Sequence, residues 1–267
     1  MPKIEETTPP PRKLLPIIYV IDSSGSMAGG RISSLNEAMH ETVDVLSEVS
    51  ESNPSAELKI GVLKFATDAE WVTKDGLKFL DDYYWNDLQA GGLTDLGSAL
   101  RELNQKLSRS GFLDSPVGYK VPVIIFMSDG EPTDDWEGAL TKVNETNKWF
   151  RVATKIAIAV EGADLDVLAK IVGNSEAVIP VEDLETLKKL IKVVSVTAAM
   201  IGSKSRTDDD SQNEIIKAVK KETGGETEDA KPSSPATDDS PTNGDDPFPP
   251  WPESGDLDED WPLSDWP

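Results

Sequence analysis

The sequence predicts a doubly wound α/β domain, a mostly parallel sheet with helices on both faces, followed by an acidic tail. Three observations lead there. Strand-sized apolar runs alternate with helix-period segments from residue 14 to residue 201. Several runs are apolar at consecutive positions, the pattern of parallel strands buried on both faces. The composition then changes near residue 203: residues 203–267 carry 6 basic and 18 acidic side chains, and nine prolines fall between Pro232 and Pro267. Such a segment buries too little apolar surface to offset chain entropy, so residues 225–267 are expected to be disordered on their own.

The elements follow in order. Residues 14–21 form a buried strand, and a helix follows with Ile32, Leu35, Met39, Val43, Leu46 and Val49 spaced by three and four. Residues 58–66 alternate as a strand, and 94–107 read as a helix after the Gly91-Gly92 turn. Residues 121–127 are a second buried strand, 136–150 a helix, 153–160 a strand and 165–172 a short helix. Residues 177–179 make an edge strand and 184–201 a closing helix. Ser211-Gln212-Asn213-Glu214 has the form of a capping box before Ile215, Ile216 and Val219, and predicts one more short helix ended by Gly224-Gly225. The domains are therefore expected as an N-terminal extension (1–11), the α/β domain (12–202), a linker with a short helix (203–224) and the tail (225–267).

Composition narrows the function. The formal charge of −23 argues against nucleic acid and anionic membranes as partners and favours basic partners or a bound cation. The absence of cysteine removes disulfides, thiolate metal sites and cysteine nucleophiles. No apolar run has the length of a signal peptide or a transmembrane helix, which predicts a cytoplasmic protein.

Three separated segments share one chemistry. They are Asp22-Ser23-Ser24-Gly25-Ser26 after the first strand, Gly92-Leu93-Thr94-Asp95 at a helix entry, and Ser128-Asp129-Gly130 after the strand at 121–127. Loops at the carboxyl ends of parallel strands line the binding crevice of such sheets, so the segments are expected to converge. Their donors are hydroxyls and carboxylates, a set that selects Mg²⁺, Ca²⁺ or Mn²⁺ over zinc.

This arrangement resembles the metal-ion-dependent adhesion site of von Willebrand factor A-type domains, whose first motif is Asp-x-Ser-x-Ser. The matching residues are Asp22, Ser24 and Ser26, with Thr94 and Asp129 as the second and third motifs. The resemblance spans residues 12–202. It implies that Ser24, Ser26 and Thr94 offer hydroxyls to Mg²⁺ while Asp22 and Asp129 act largely through water. It also implies that a protein partner fills an open position with an acidic side chain. Residues 13–27, 92–95, 125–132 and 179–203 most resemble the bacterial TerY-like branch associated with tellurium resistance. That likeness implies a stress-response or defence system containing a protein kinase and a protein phosphatase.

Catalysis is a weaker reading. A haloacid-dehalogenase-type phosphatase needs a carboxylate two residues after Asp22, where Ser24 stands, and neither a Gly-x-Ser-x-Gly elbow nor a P-loop occurs. A regulatory subunit of a chelatase-type ATPase complex is the alternative binding role.

Other residues have plainer readings. Asp95 is either a first-turn acid complementing the helix dipole or a functional group. His40 reads as a packed or half-exposed helix residue, and Glu131, Asp134 and Asp135 as a solvated loop at the rim. Trp71, Trp85, Trp136 and Trp149 are expected in or near the core. In the tail, Trp251-Pro252, Trp261-Pro262 and Trp266-Pro267 leave large aromatics in an extended acidic segment. Trp251, Trp261 and Trp266 are therefore candidate docking residues for a partner or for the chain's own domain. An acidic solubilising tail is the alternative, as is an autoinhibitory one in which Asp258, Asp260 or Asp265 fills the metal's open position.

Overall fold

The computed structural model describes residues 11–129, 131–204 and 208–222. The central strand β1 (Lys13–Asp22) pairs in parallel with β2 (Ala56–Phe65) on one side and β5 (Val123–Ser128) on the other. Beyond β5 lie β6 (Thr154–Ala159) and β7 (Val178–Pro180), also parallel. Two short strands, β3 (Ala69–Trp71) and β4 (Lys78–Phe79), pair antiparallel with β2. Main-chain order is β3-β2-β1-β5-β6-β7. The mostly parallel sheet follows from the apolar runs. The sequence reading missed the antiparallel edge because three and two residues are too few to show a period.

Seven helices flank the sheet among the described residues: α1 (Gly30–Ser52), α2 (Leu96–Lys106), α3 (Trp136–Thr146), α4 (Lys148–Val152), α5 (Leu165–Val172), α6 (Leu184–Gly202) and α7 (Asp208–Glu222). Alternation along β1 shows the two layers. Tyr19 donates its hydroxyl proton to Ser195 of α6, which packs along α1. Neighbouring Ile18 lies instead beside Gly61 and Trp71, whose indole donates to Glu102 of α2.

Two helix boundaries depart from the sequence reading. The segment 136–150 is two helices, because Asn147 leaves the first to cap the second. Its side-chain oxygen Oδ1 accepts from the amide of Phe150 (2.9 Å), and its side-chain Nδ2 donates to the Asn104 and Leu107 carbonyls. Helix α7 starts at Asp208, ahead of the expected capping box, and packs on α6 and β6. Ile215, Ile216 and Val219 are buried, and Gln212 donates to the Lys155 carbonyl. Trp71 and Trp85 are buried, and Trp136 and Trp149 pack against the core. His40 is half-exposed, as expected, and pairs with Asp87. No helix of the described residues is long and apolar enough to cross a membrane. Residues 1–10 and the tail aromatics Trp251, Trp261 and Trp266 lie outside the described residues.

Candidate metal centre

The sheet order sets the position of the site. From β1 the chain moves to β2 on one side, then returns to β5 on the other, so the strand order switches between β1 and β5. At such a point adjacent loops diverge and leave a crevice at the carboxyl ends of the strands. Ile21 is in register with Met127, which brings the ends of both strands, Asp22 and Ser128, to one level.

Asp22 is fully buried. One carboxylate oxygen accepts from the Ser24 amide (2.8 Å), the other from the Ser128 hydroxyl (2.7 Å). Desolvation raises its pKa above the ordinary aspartate value; the hydrogen bonds from Ser24 and Ser128 oppose that, and the nearby charge of Asp129 adds to it. Ser24 Oγ and Ser26 Oγ stand 2.9 Å apart, and Ser26 donates to Asp129 Oδ1 at 2.7 Å. Four of the five predicted site residues thus form one cluster drawn from the ends of two strands.

Thr94 reaches the same crevice by backbone links. The Gly25 amide donates to the Gly92 carbonyl, and the Gly91 amide to the Ser23 carbonyl. Gly92 needs its positive φ of 88°, and a Cβ there would stand 2.6 Å from Thr67 Oγ1, so glycine is required at this turn. Farther back, Asn36 of α1 binds both the amide and the carbonyl of Leu88 and accepts from the Trp85 indole, anchoring the irregular approach to Thr94. Thr94 is buried; its amide donates to Thr133 Oγ1 and its carbonyl accepts from the Thr133 amide. Its hydroxyl makes no hydrogen bond to the other four residues of the set.

Residues 17–193, more than half of the chain, match the family described as von Willebrand factor type A domain. The chain belongs to that family. Among curated proteins it is similar to mouse (Mus musculus) inter alpha-trypsin inhibitor heavy chain 4, with 28% identity over 124 residues, which is 44% of this chain and 12% of the relative. Two solved structures show the same fold. Proximal thread matrix protein 1 from the mussel byssus, in a form with a zinc-occupied MIDAS motif, is 20% identical (TM-score 0.52), over 69% of this chain and 48% of that one. The PilB minor pilin from Streptococcus sanguinis is 14% identical (TM-score 0.51), over 73% and 62%. The chain thus spans less than two thirds of each of these proteins.

The donors of this von Willebrand A domain fit a hard divalent cation. The two serine oxygens stand as a hydrogen-bonded pair with two buried carboxylates beside them. Among the described residues no three His, Asp or Glu side chains gather into a carboxylate or imidazole cage. A cation held here would therefore have to take hydroxyl ligands.

The sequence reading missed three groups that shape the site. Ser128 holds Asp22, and its place beside Asp129 was the available signal. Asp134, expected in a solvated loop, instead accepts from the Gly97 and Ser98 amides and from Arg101, capping α2 from outside; Asp135 caps α3. Asp95 stands at the N-cap of α2 without a side-chain cap bond and accepts from the Thr133 hydroxyl. Third, Arg31 donates to Asp129 Oδ2 at 2.5 Å and to the Ser26 carbonyl at 3.2 Å.

Proposed function

We propose that the chain is a Mg²⁺-dependent protein-binding module and not an enzyme. The observation that carries this reading is the Ser24–Ser26 hydroxyl pair, fixed against Asp129 and beside buried Asp22 at the switch point of the sheet. Ser24 and Ser26 present neutral oxygen lone pairs, and Thr94 adds a third hydroxyl from the neighbouring loop. Asp22 and Asp129 place negative charge behind them and accept hydrogen bonds, holding the hydroxyls in orientation and serving as anchors for water. A bound Mg²⁺, or Mn²⁺, would supply a coordination position whose charge the neutral hydroxyls leave largely uncompensated, which favours a partner's Asp or Glu.

Binding is favoured over bond-breaking because the crevice hydroxyls of Ser26 and Ser128 donate to the carboxylates of Asp129 and Asp22 rather than to an imidazole. The sole histidine, His40, pairs with Asp87, away from the crevice. The likeness to TerY-like sequences supports a cytoplasmic role in a bacterial stress-response or defence system, beside a protein kinase and a protein phosphatase.

The test is isothermal titration of Mg²⁺ and Mn²⁺ into the chelator-treated full chain and into Asp22→Ala and Asp22→Asn, with circular dichroism confirming that both variants fold. The wild type is expected to bind one ion, both variants to lose it, and a captured partner to leave in EDTA. A wild-type chain that binds neither ion overturns the metal reading. A partner retained equally in EDTA overturns the metal-bridged mode of binding.

A further inference from the structure

Arg31 stands where the helix dipole disfavours it. It is the second residue of α1, whose first turn contains no acid, and a cation in that position opposes the positive N-terminal end. An exposed arginine with no other role would gain by leaving. Instead its guanidinium turns inward to the side chain of Asp129, which is fully shielded from solvent, while its own side chain is 29% exposed. A second nitrogen, Nη2, lies 3.7 Å from Glu161, whose side chain is 72% exposed.

The charges explain the position. Asp22 and Asp129 are both buried and close enough for one to raise the pKa of the other. Asp22 is satisfied only by neutral donors, Ser24 and Ser128. Among the described residues, Arg31 is the single cation paired with either carboxylate. Both oxygens of Asp129 are consequently engaged, Oδ1 by the Ser26 hydroxyl and Oδ2 by Arg31.

We propose that Arg31 is a member of the site: it is the counter-ion of the metal-free state, competes with the divalent cation for Asp129, and transfers to Glu161 when the cation enters. This rests on the metal reading above and adds a statement about how that site is set. A guanidinium held against Asp129 repels an incoming dication and must give up a short, charge-assisted bond before that carboxylate is free to anchor the cation's water. Glu161 lowers the cost of release, because it already lies at the outer edge of the same guanidinium. The consequence is a site that is stable without metal and binds it more weakly than its donors alone would. Such a module would respond to changes in free cation or to a partner that adds its own carboxylate, rather than remaining permanently loaded.

The experiment uses the full chain with Mg²⁺ and Mn²⁺ alone as probes. Titration calorimetry compares wild type, Arg31→Gln and Arg31→Lys, and thermal unfolding is recorded for each in EDTA and in saturating Mg²⁺. Arg31→Gln is expected to bind metal about tenfold more tightly, a change of about 1.4 kcal/mol, and to melt below wild type in EDTA. In Mg²⁺ its deficit is expected to vanish or reverse. Arg31→Lys retains the charge and is expected to stay near the wild-type affinity. Metal binding by Arg31→Gln that equals or falls below wild type overturns the role of Arg31 and leaves the metal site standing. Absence of binding in wild type and Arg31→Gln alike removes the metal site and this proposal with it.

Discussion

Substitution of Asp134 tests whether the loop after β5 holds α2, and with it Thr94, in place. The carboxylate accepts from the Gly97 amide (2.9 Å), the Ser98 amide (3.1 Å) and Arg101 Nη2 (3.1 Å). Asp134→Ala leaves two first-turn amides without that acceptor. Losing a cap costs about 1 kcal/mol per helix end and up to about 2 where the site is partly buried; the exposed Arg101 pair adds about 0–1 kcal/mol. Asp134 has only 16% of its side chain exposed, so replacement by water is limited and about 2 kcal/mol is expected in all. For a domain of this length that corresponds to a fall in Tm of about 4–8 °C. Gly97→Ala attacks the same contact from the other side. In a helix interior glycine to alanine ordinarily stabilises by about 0.5–1 kcal/mol. Here the new Cβ would stand 2.6 Å from Asp134 Oδ2 and 2.9 Å from the Asp135 carbonyl, so the sign should reverse. Denaturant unfolding in EDTA gives both stabilities, and metal titration shows whether Thr94 has been displaced. Asp134→Ala within about 0.5 kcal/mol of wild type, together with a stabilising Gly97→Ala, refutes the reasoning.

Two further expectations concern the fold around the site. Ile216→Ala is expected to lower stability by about 2–4 kcal/mol, because the side chain is 4% exposed in α7; a loss below about 1 kcal/mol in denaturant unfolding would show that α7 is not part of the cooperative core. At high pH, burial pushes the Tyr83 phenol up to about 12 and Tyr19 higher still, and the Tyr83 hydroxyl is buried with no hydrogen-bond partner among the described residues. Because the folded value lies above the unfolded one, the stabilisation from keeping Tyr83 neutral is complete below about pH 10 and is lost as pH rises through about 12. Tyrosinate absorbance from Tyr19 and Tyr83 should therefore rise together with loss of far-UV circular dichroism. A signal from all four tyrosines near pH 11 with the dichroism intact would contradict the burial of both hydroxyls.

The sequence by itself determined the parallel α/β class and the chemistry offered at the site. Apolar runs such as Ile17-Ile18-Tyr19-Val20-Ile21 have few ways to be buried other than in the middle of a parallel sheet. Asp22, Ser24, Ser26 and Asp129 lie within a few residues of strand ends, so their local motifs could be read without knowledge of the contacts between them. Such local signals carry no information about which distant groups answer them. Only the tertiary structure brought Arg31 onto Asp129, 98 residues away, and Asp134 onto the first turn of α2. It also decided that α7 packs on α6 and β6, and that Asn147 divides one predicted helix into two. In each case the deciding term is the satisfaction of a buried charge, a backbone amide or an apolar face by a partner that the strand order supplies and sequence proximity does not.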